Sequence, residues 1–102
     1  MNIVMGKEAK TDLREVDGNI KEEISQAIEK LGEEPLPDNS YVIQLPDATE
    51  MQVLKLQEED RNSELNHRVT YDIIENDYVR VYGIFSRQPG YQNIKEKTSN
   101  RI

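Results

Sequence analysis

The spacing of hydrophobic positions changes along this chain, from a helical period in the first third to a two-residue period beyond it. Residues 7–16 and 20–31 repeat apolar side chains at helical spacing and predict two amphipathic helices. The stripes consist of Ala9, Leu13 and Val16 in the first segment and Ile20, Ile24, Ala27, Ile28 and Leu31 in the second. Residues 17–19, Asp-Gly-Asn, supply a stop and a new N-cap between them.

Strand patterns account for most of the remaining chain. Strands are predicted at residues 2–5, 41–45 and 51–57, with a polar loop over 58–64. The clearest signal is a hairpin, in which Val69, Tyr71 and Ile73 alternate with Arg68, Thr70 and Asp72, and Val79, Val81 and Gly83 alternate with Tyr78, Arg80 and Tyr82. An Asn76-Asp77 turn divides its two strands. The order β-α-α-β-β-β-β therefore predicts an α+β fold, with two N-terminal helices packed on a four- to five-stranded antiparallel sheet.

Length and composition narrow the class of protein. We expect a single domain over residues 1–91 and a polar C-terminal tail over 92–102, either a short helix or disordered. The chain has no cysteine, which excludes disulfides and thiolate metal sites. Its N-terminus lacks the features of a signal peptide, and no segment has the roughly 20 apolar residues of a membrane span. A soluble intracellular protein is expected.

Charge is distributed unevenly along the chain. The net charge is −7, but residues 1–65 carry seven basic against 16 acidic side chains, whereas residues 66–102 carry six against four. The acidic total argues against a general nucleic-acid binder, because phosphate binding requires local positive charge. The hairpin end is the mildly basic part of the molecule, and nucleic-acid chemistry stays open there because the local field at a site matters more than the total charge.

The hairpin also carries the candidate site. It places Arg68 on one strand and brings Arg87 and Tyr91 to the end of the next, where Pro89 and Gly90 stop the sheet. Two arginines and a tyrosine near one sheet end form the only plausible chemical site in the sequence. His67, the single histidine, just precedes the strand and is expected to be a structural or solvent-facing residue and not a general base.

Taken together, these segments resemble the RelE/ParE toxins of bacterial and archaeal toxin–antitoxin systems. The resemblance covers residues 2–91 and rests on an ordered set of segments, none specific alone: Ala9-Lys10-Thr11-Asp12-Leu13, Ala27-Ile28-Glu29-Lys30-Leu31 with Glu34-Pro35-Leu36-Pro37, His67-Arg68-Val69-Thr70-Tyr71 and Ile84-Phe85-Ser86-Arg87. It implies a small cytoplasmic α+β toxin without a cofactor, which is neutralised by a cognate antitoxin in a hetero-oligomer.

For the RelE branch, the resemblance implies a metal-independent endoribonuclease that cuts mRNA on the ribosome and so represses translation. The positions similar to that branch's functional residues are Lys55, Arg68, Arg87 and Tyr91. Arg68 would hold the phosphate, and Arg87 would stabilise the leaving 5′-oxygen. Tyr91 would stack on a base, and Lys55 would take part in proton transfer.

Two features depart from the RelE pattern. Val53 stands where a second lysine is often found, and the chain is acidic whereas active members are usually basic. Two alternatives therefore stay open. One is a ParE-like toxin that inhibits gyrase, and the other is a non-catalytic degenerate toxin that only binds its antitoxin.

Overall fold

The computed structural model describes residues 1–57, 65–86 and 91–102. Its elements in chain order are β1 (Asn2–Met5), α1 (Lys7–Glu15), α2 (Gly18–Lys30), β2 (Ser40–Gln44), β3 (Glu50–Gln57), β4 (Asn66–Ile74), β5 (Tyr78–Ser86) and α3 (Tyr91–Arg101). The predicted loop at 58–64 and the predicted sheet stop at Pro89 and Gly90 lie outside the described residues. The tail, for which the sequence left helix and disorder open, forms α3.

All five strands form one sheet in the order β1-β5-β4-β3-β2. The three pairings among β2, β3, β4 and β5 are antiparallel, and β1 runs parallel to β5. The predicted α+β fold is confirmed, and the parallel edge pair makes its sheet mixed. Because β1 and β2 are the two edge strands, α1 and α2 carry the chain across one face of the sheet from one edge to the other.

The main core lies between these helices and the sheet. Ile20, Ile24 and Ile28 of α2 are buried, as the predicted stripe requires, and Asp17 caps the helix by accepting the Asn19 amide at 3.2 Å. The sheet contributes alternate residues of its central strands: Leu54 and Leu56 from β3, Val69 and Tyr71 from β4, and Val79 and Val81 from β5. Ile84 of β5 also joins the core, three residues after Val81, because the β4–β5 register shifts between Thr70 and Tyr71. Burial of each large aliphatic side chain contributes about 2 kcal/mol.

The β4–β5 turn is centred one residue earlier than predicted. Glu75 and Asn76 have φ angles of 54° and 55°, and the Asp77 amide donates to the Ile74 carbonyl at 2.9 Å. Two consecutive positive φ angles are characteristic of a type I′ turn, whose twist matches that of a hairpin. The predicted Asn76-Asp77 centre is wrong because Asp77 closes the turn, and the left-handed conformation falls on Glu75.

The β2–β3 hairpin turns through a strained alanine. Ala48 has a φ of 69°, while its amide donates to the Leu45 carbonyl at 2.8 Å. A left-handed conformation costs a residue with a Cβ about 1–2 kcal/mol. Ala48→Gly is therefore expected to raise the free energy of unfolding by about 1 kcal/mol, measured by urea denaturation. As a control, Ala27→Gly within α2 should lower the free energy of unfolding by about 1 kcal/mol. A lower free energy of unfolding for Ala48→Gly would contradict the turn geometry.

Helix α3 packs on the sheet face opposite α1 and α2. The Thr98 hydroxyl donates to the Thr70 hydroxyl at 3.1 Å, and both side chains are fully buried. Thr70 precedes Tyr71 in β4, so its side chain lies on the side of the sheet away from the main core. Of the helices in the described ranges, none is long and apolar enough to cross a membrane.

Candidate functional site

Two of the predicted site residues meet on the sheet face that carries α3. Lys55 of β3 lies directly opposite Arg68 of β4, and Arg68 lies opposite Phe85 of β5. The three form a row across the sheet because directly opposed residues in an antiparallel sheet project to the same side. Leu54 and Leu56, which flank Lys55 in β3, point into the main core on the other side of the sheet.

Arg68 is almost completely enclosed. Its side chain is 2% exposed, and it donates to the His67 carbonyl at 3.0 Å, to Asn66 Oδ1 at 3.3 Å and to Gln57 Oε1 at 3.4 Å. These three acceptors are uncharged, and they fix the orientation of the guanidinium. A buried arginine in a strand cannot be distinguished from an exposed one by its position in an alternating pattern.

The side chain of Lys55 is exposed, and its backbone is hydrogen-bonded to Asn39. Its amide donates to the Asn39 carbonyl at 2.8 Å, and Asn39 Nδ2 donates back to the Lys55 carbonyl at 2.9 Å. Within the described ranges the ammonium group takes part in no ion pair. The row therefore presents an accessible ammonium group beside an enclosed guanidinium.

The other two predicted residues, Arg87 and Tyr91, have side chains outside the part of the chain that the structure describes. Arg87 lies outside the described residues, where it follows Ser86, which is opposite His67 in the register. Tyr91 is the first residue of α3, and the position of its side chain is not described. Lys55 and Arg68 are thus the pair whose proximity the geometry establishes.

A second cluster, which the sequence analysis missed, joins α1, β5 and α3. The Asp12 carboxylate accepts the Ile84 amide at 3.0 Å and the Arg101 guanidinium at 2.6 Å. Arg101 also donates to the Tyr82 carbonyl at 3.1 Å and lies 4.9 Å from the centre of the Phe85 ring. No local pattern could have linked Asp12 to Arg101, because 89 residues separate them in the chain.

This cluster completes the part of β5 that β1 does not cover. The register of β1 against β5 covers only Tyr78 to Val81, so β5 continues beyond its neighbour. There the Asp12 carboxylate accepts a hydrogen bond from the Ile84 amide of β5, and Arg101 donates one to the Tyr82 carbonyl. The ion pair therefore satisfies the backbone groups that a neighbouring strand would otherwise pair with. It also connects the end of α3 to the edge of the sheet.

A cleft of about 460 Å³ opens beside this ion pair, between α1, the end of β5 and α3. Its charged lining comprises Asp12, Glu15, Asp17, Lys97 and Arg101. His67 lines it as well, and burial, aided by the positive charge of Arg68, lowers the pKa of His67 from its usual value. The Asn66 amide donates to His67 Nδ1 at 3.2 Å, which leaves Nε2 as the protonated nitrogen of the neutral ring.

Neither cluster has the ligand set of a metal centre. Within residues 1–57, 65–86 and 91–102, no group of three or more histidine, aspartate or glutamate side chains is arranged to hold an ion. The chemistry available at the row is that of a cation, with hydrogen-bond donors for an anionic ligand.

No protein-family model matches this chain, and no curated protein matches it in sequence. Solved structures do match it. The free E. coli toxin RelE, solved as a mutant with two arginines changed to alanine, is 17% identical over 99% of this chain and 96% of its own, with a TM-score of 0.68. The intact E. coli RelBE toxin–antitoxin complex contains a chain that is 16% identical over 83% of this chain and 94% of its own, with a TM-score of 0.52. The chain therefore has the fold of the RelE toxin.

Proposed function

We propose that this chain is the toxin of a type II toxin–antitoxin system and acts in the cytoplasm as a RelE-like, ribosome-dependent mRNA endoribonuclease. The observation that carries the proposal is the row that sets Lys55 opposite Arg68 on the sheet face away from α1 and α2. It is supported by the RelE fold over nearly the whole chain. The E. coli RelBE complex supports the further proposal that an antitoxin binds this chain.

The proposed reaction is attack of a 2′-hydroxyl on the adjacent phosphate. The 2′-oxygen forms a bond to phosphorus, the bond to the 5′-oxygen breaks, and one proton moves from the first oxygen to the second. Lys55 takes part in this proton transfer, and Arg68 stabilises the negative charge that develops on the phosphate. Arg87 stabilises the leaving 5′-oxygen, and Tyr91 stacks on a base beside the cut. No metal ion is required for these steps.

Access to Arg68 is a condition of this mechanism. Its side chain is 2% exposed, and α3 packs on the same face through Thr98 and Arg101. A phosphate reaches the guanidinium only if neighbouring groups move. We propose that these groups move when the protein binds to the ribosome, where mRNA is held.

The burial of Arg68 favours a second candidate function, that of a non-catalytic protein which only binds its antitoxin. Arg68 is held by Asn66, His67 and Gln57, as a structural arginine would be, and the chain is acidic overall. A toxin that has lost catalysis and only binds its antitoxin would retain this arrangement. Such a protein would leave mRNA intact and would be harmless when expressed.

Primer extension on an mRNA under translation in a cell-free system separates the two. Purified wild-type protein should produce cuts inside translated codons, and Arg87→Ala and Lys55→Gln should remove them. Lys10→Gln is the matched control, because it removes one exposed positive charge from α1 on the other side of the sheet. Intact mRNA with normal protein output would contradict the proposed nuclease activity. Supercoiling by purified gyrase, measured with the same protein, would then decide between a gyrase inhibitor and a binding protein.

A further inference from the structure

The outer edge of β2 is an unpaired edge of the sheet. Lys55 donates to the Asn39 carbonyl and Leu45 donates to the Thr49 carbonyl, each at 2.8 Å, so the odd-numbered residues of this segment turn their backbone groups toward β3. The alternation of an antiparallel ladder then turns the amide and carbonyl groups of Val42 and Gln44 outward. β2 is the last strand in the sheet order, and no described strand pairs with these groups.

Exposed apolar side chains accompany this edge. Val42 is 49% exposed, and Leu36, in the segment that leads into β2, is 58% exposed. Val42 lies opposite Gln52, which lies opposite Tyr71. The Tyr71 hydroxyl donates to the Pro35 carbonyl at 2.7 Å and so holds the segment containing Leu36 over this row. The edge thus combines unpaired backbone groups with apolar contact area.

The charged side chains between Lys30 and Lys55, the segment that contains β2, are all negative. Residues 31–54 contain five acidic side chains and no lysine, arginine or histidine. The five are Glu33, Glu34, Asp38, Asp47 and Glu50, and all of them are exposed. A hydrogen bond from the Thr49 amide lowers the pKa of Asp47, so this carboxylate stays ionised. Edge strands that avoid pairing commonly carry lysine or proline, but β2 itself is uncharged and without proline.

We propose that the outer edge of β2 is a docking site for an extended cationic segment of a partner protein, which joins the sheet as an additional strand. The backbone of the segment pairs with Val42 and Gln44, and its lysines or arginines face Asp38, Asp47 and Glu50. The proposal goes beyond the toxin activity and does not depend on it.

Charge also excludes a second copy of this chain as the preferred occupant. An antiparallel pair of β2 strands centred on Val42 would bring Asp38 of one copy beside Pro46 and Asp47 of the other, at both ends of the pair. Like charges placed across strands are destabilising. A basic segment reverses the sign of the same contacts.

The test is the affinity of the full chain for two short labelled peptides, measured by fluorescence anisotropy. One alternates valine with lysine, and the other alternates valine with glutamate. The lysine peptide should bind at least about tenfold more tightly, and its binding should weaken as salt is added. In amide NMR spectra the largest shifts should fall on Val42 and Gln44. Equal affinity for both peptides, or shifts concentrated elsewhere, would overturn the proposal.

Two sets of variants locate the site. Val42→Pro removes an outward amide while leaving the β2–β3 ladder intact, and it should abolish binding of the lysine peptide. If that variant does not fold, Val42→Lys should weaken the same binding by charge repulsion. Combined Asp38→Asn, Asp47→Asn and Glu50→Gln should weaken it about tenfold. The matched set Glu8→Gln, Glu22→Gln and Glu96→Gln makes the same change in net charge elsewhere and should have less than about a twofold effect.

Two outcomes would contradict this location. Equal weakening by the two triple variants would show that the peptide responds to the net charge of the protein and not to this edge. A wild-type dimer in sedimentation that Val42→Pro dissociates would assign the edge to a second copy. Because RNA is absent from these measurements, failure of the proposed nuclease would leave their outcome unchanged.

Discussion

Asp12→Ala is expected to lower the free energy of unfolding by about 3 kcal/mol, which is a large loss for a domain of this size. The substitution removes the acceptor of the Ile84 amide and the partner of Arg101 together. Both charged side chains are 16% exposed, so little water is available to replace the lost contacts. Urea denaturation followed by circular dichroism measures the change. Glu15→Ala, three residues further along α1 and exposed, should change it by less than about 0.5 kcal/mol.

A double-mutant cycle with Arg101→Met separates the ion pair from its surroundings. The methionine retains much of the apolar stem beside Phe85 while removing the charge and the donors to Asp12 and Tyr82. We expect a coupling energy of about 2 kcal/mol between positions 12 and 101. Strict additivity of the two single changes would mean that Asp12 stabilises β5 without Arg101. The role assigned to this pair in holding α3 would then be wrong.

Gly83→Ala is expected to destabilise the protein by about 2 kcal/mol. A Cβ on Gly83 would collide with the ring of Phe85 and would lie 2.6 Å from Arg101 Nη1. Both groups are held, the ring by burial and the guanidinium by Asp12, so relief of the clash requires the α3 contacts to shift. Thermal unfolding measures the loss.

Gly18→Ala is the matched control for this substitution. A Cβ at Gly18, the first residue of α2, meets nothing within 4 Å. The change should be neutral or stabilising by up to about 1 kcal/mol, because alanine favours the helix. Gly83→Ala combined with Phe85→Leu should recover part of the stability lost by the single change. No recovery would show that the clash with the ring is not the cause.

The substitutions at Asp12 and Gly83 both affect one joint between β5 and α3. It lies where β5 continues past the end of β1. Gly83 leaves room for the Phe85 ring, Arg101 lies over that ring, and Asp12 fixes Arg101. The joint lies beside the row that carries Lys55 and Arg68, because Arg68 is opposite Phe85 in the register. Weakening the joint should therefore make Arg68 more accessible, which links the stability of α3 to the proposed chemistry.

The sequence by itself determined the elements and the faces they present. Helical and two-residue periods of apolar side chains identified α1, α2 and the strands, because these periods follow from local backbone geometry. The same alternation assigned Arg68 and Thr70 to one face of β4 and Val69 to the other, as the structure confirms. The turn between β4 and β5 was missed by one residue, since Glu75 adopts the left-handed conformation despite being a poor residue for it.

Only the tertiary structure decided which distant groups meet. It paired β1 with β5 in parallel, enclosed Arg68 and joined Asp12 to Arg101. It also left β2 at an edge, where the segment rich in acidic residues carries backbone groups that no described strand pairs with. The physical reason is that burial and pairing depend on the assembled neighbourhood of a residue, whereas hydrophobic periodicity depends only on the turn or pleat to which the residue belongs.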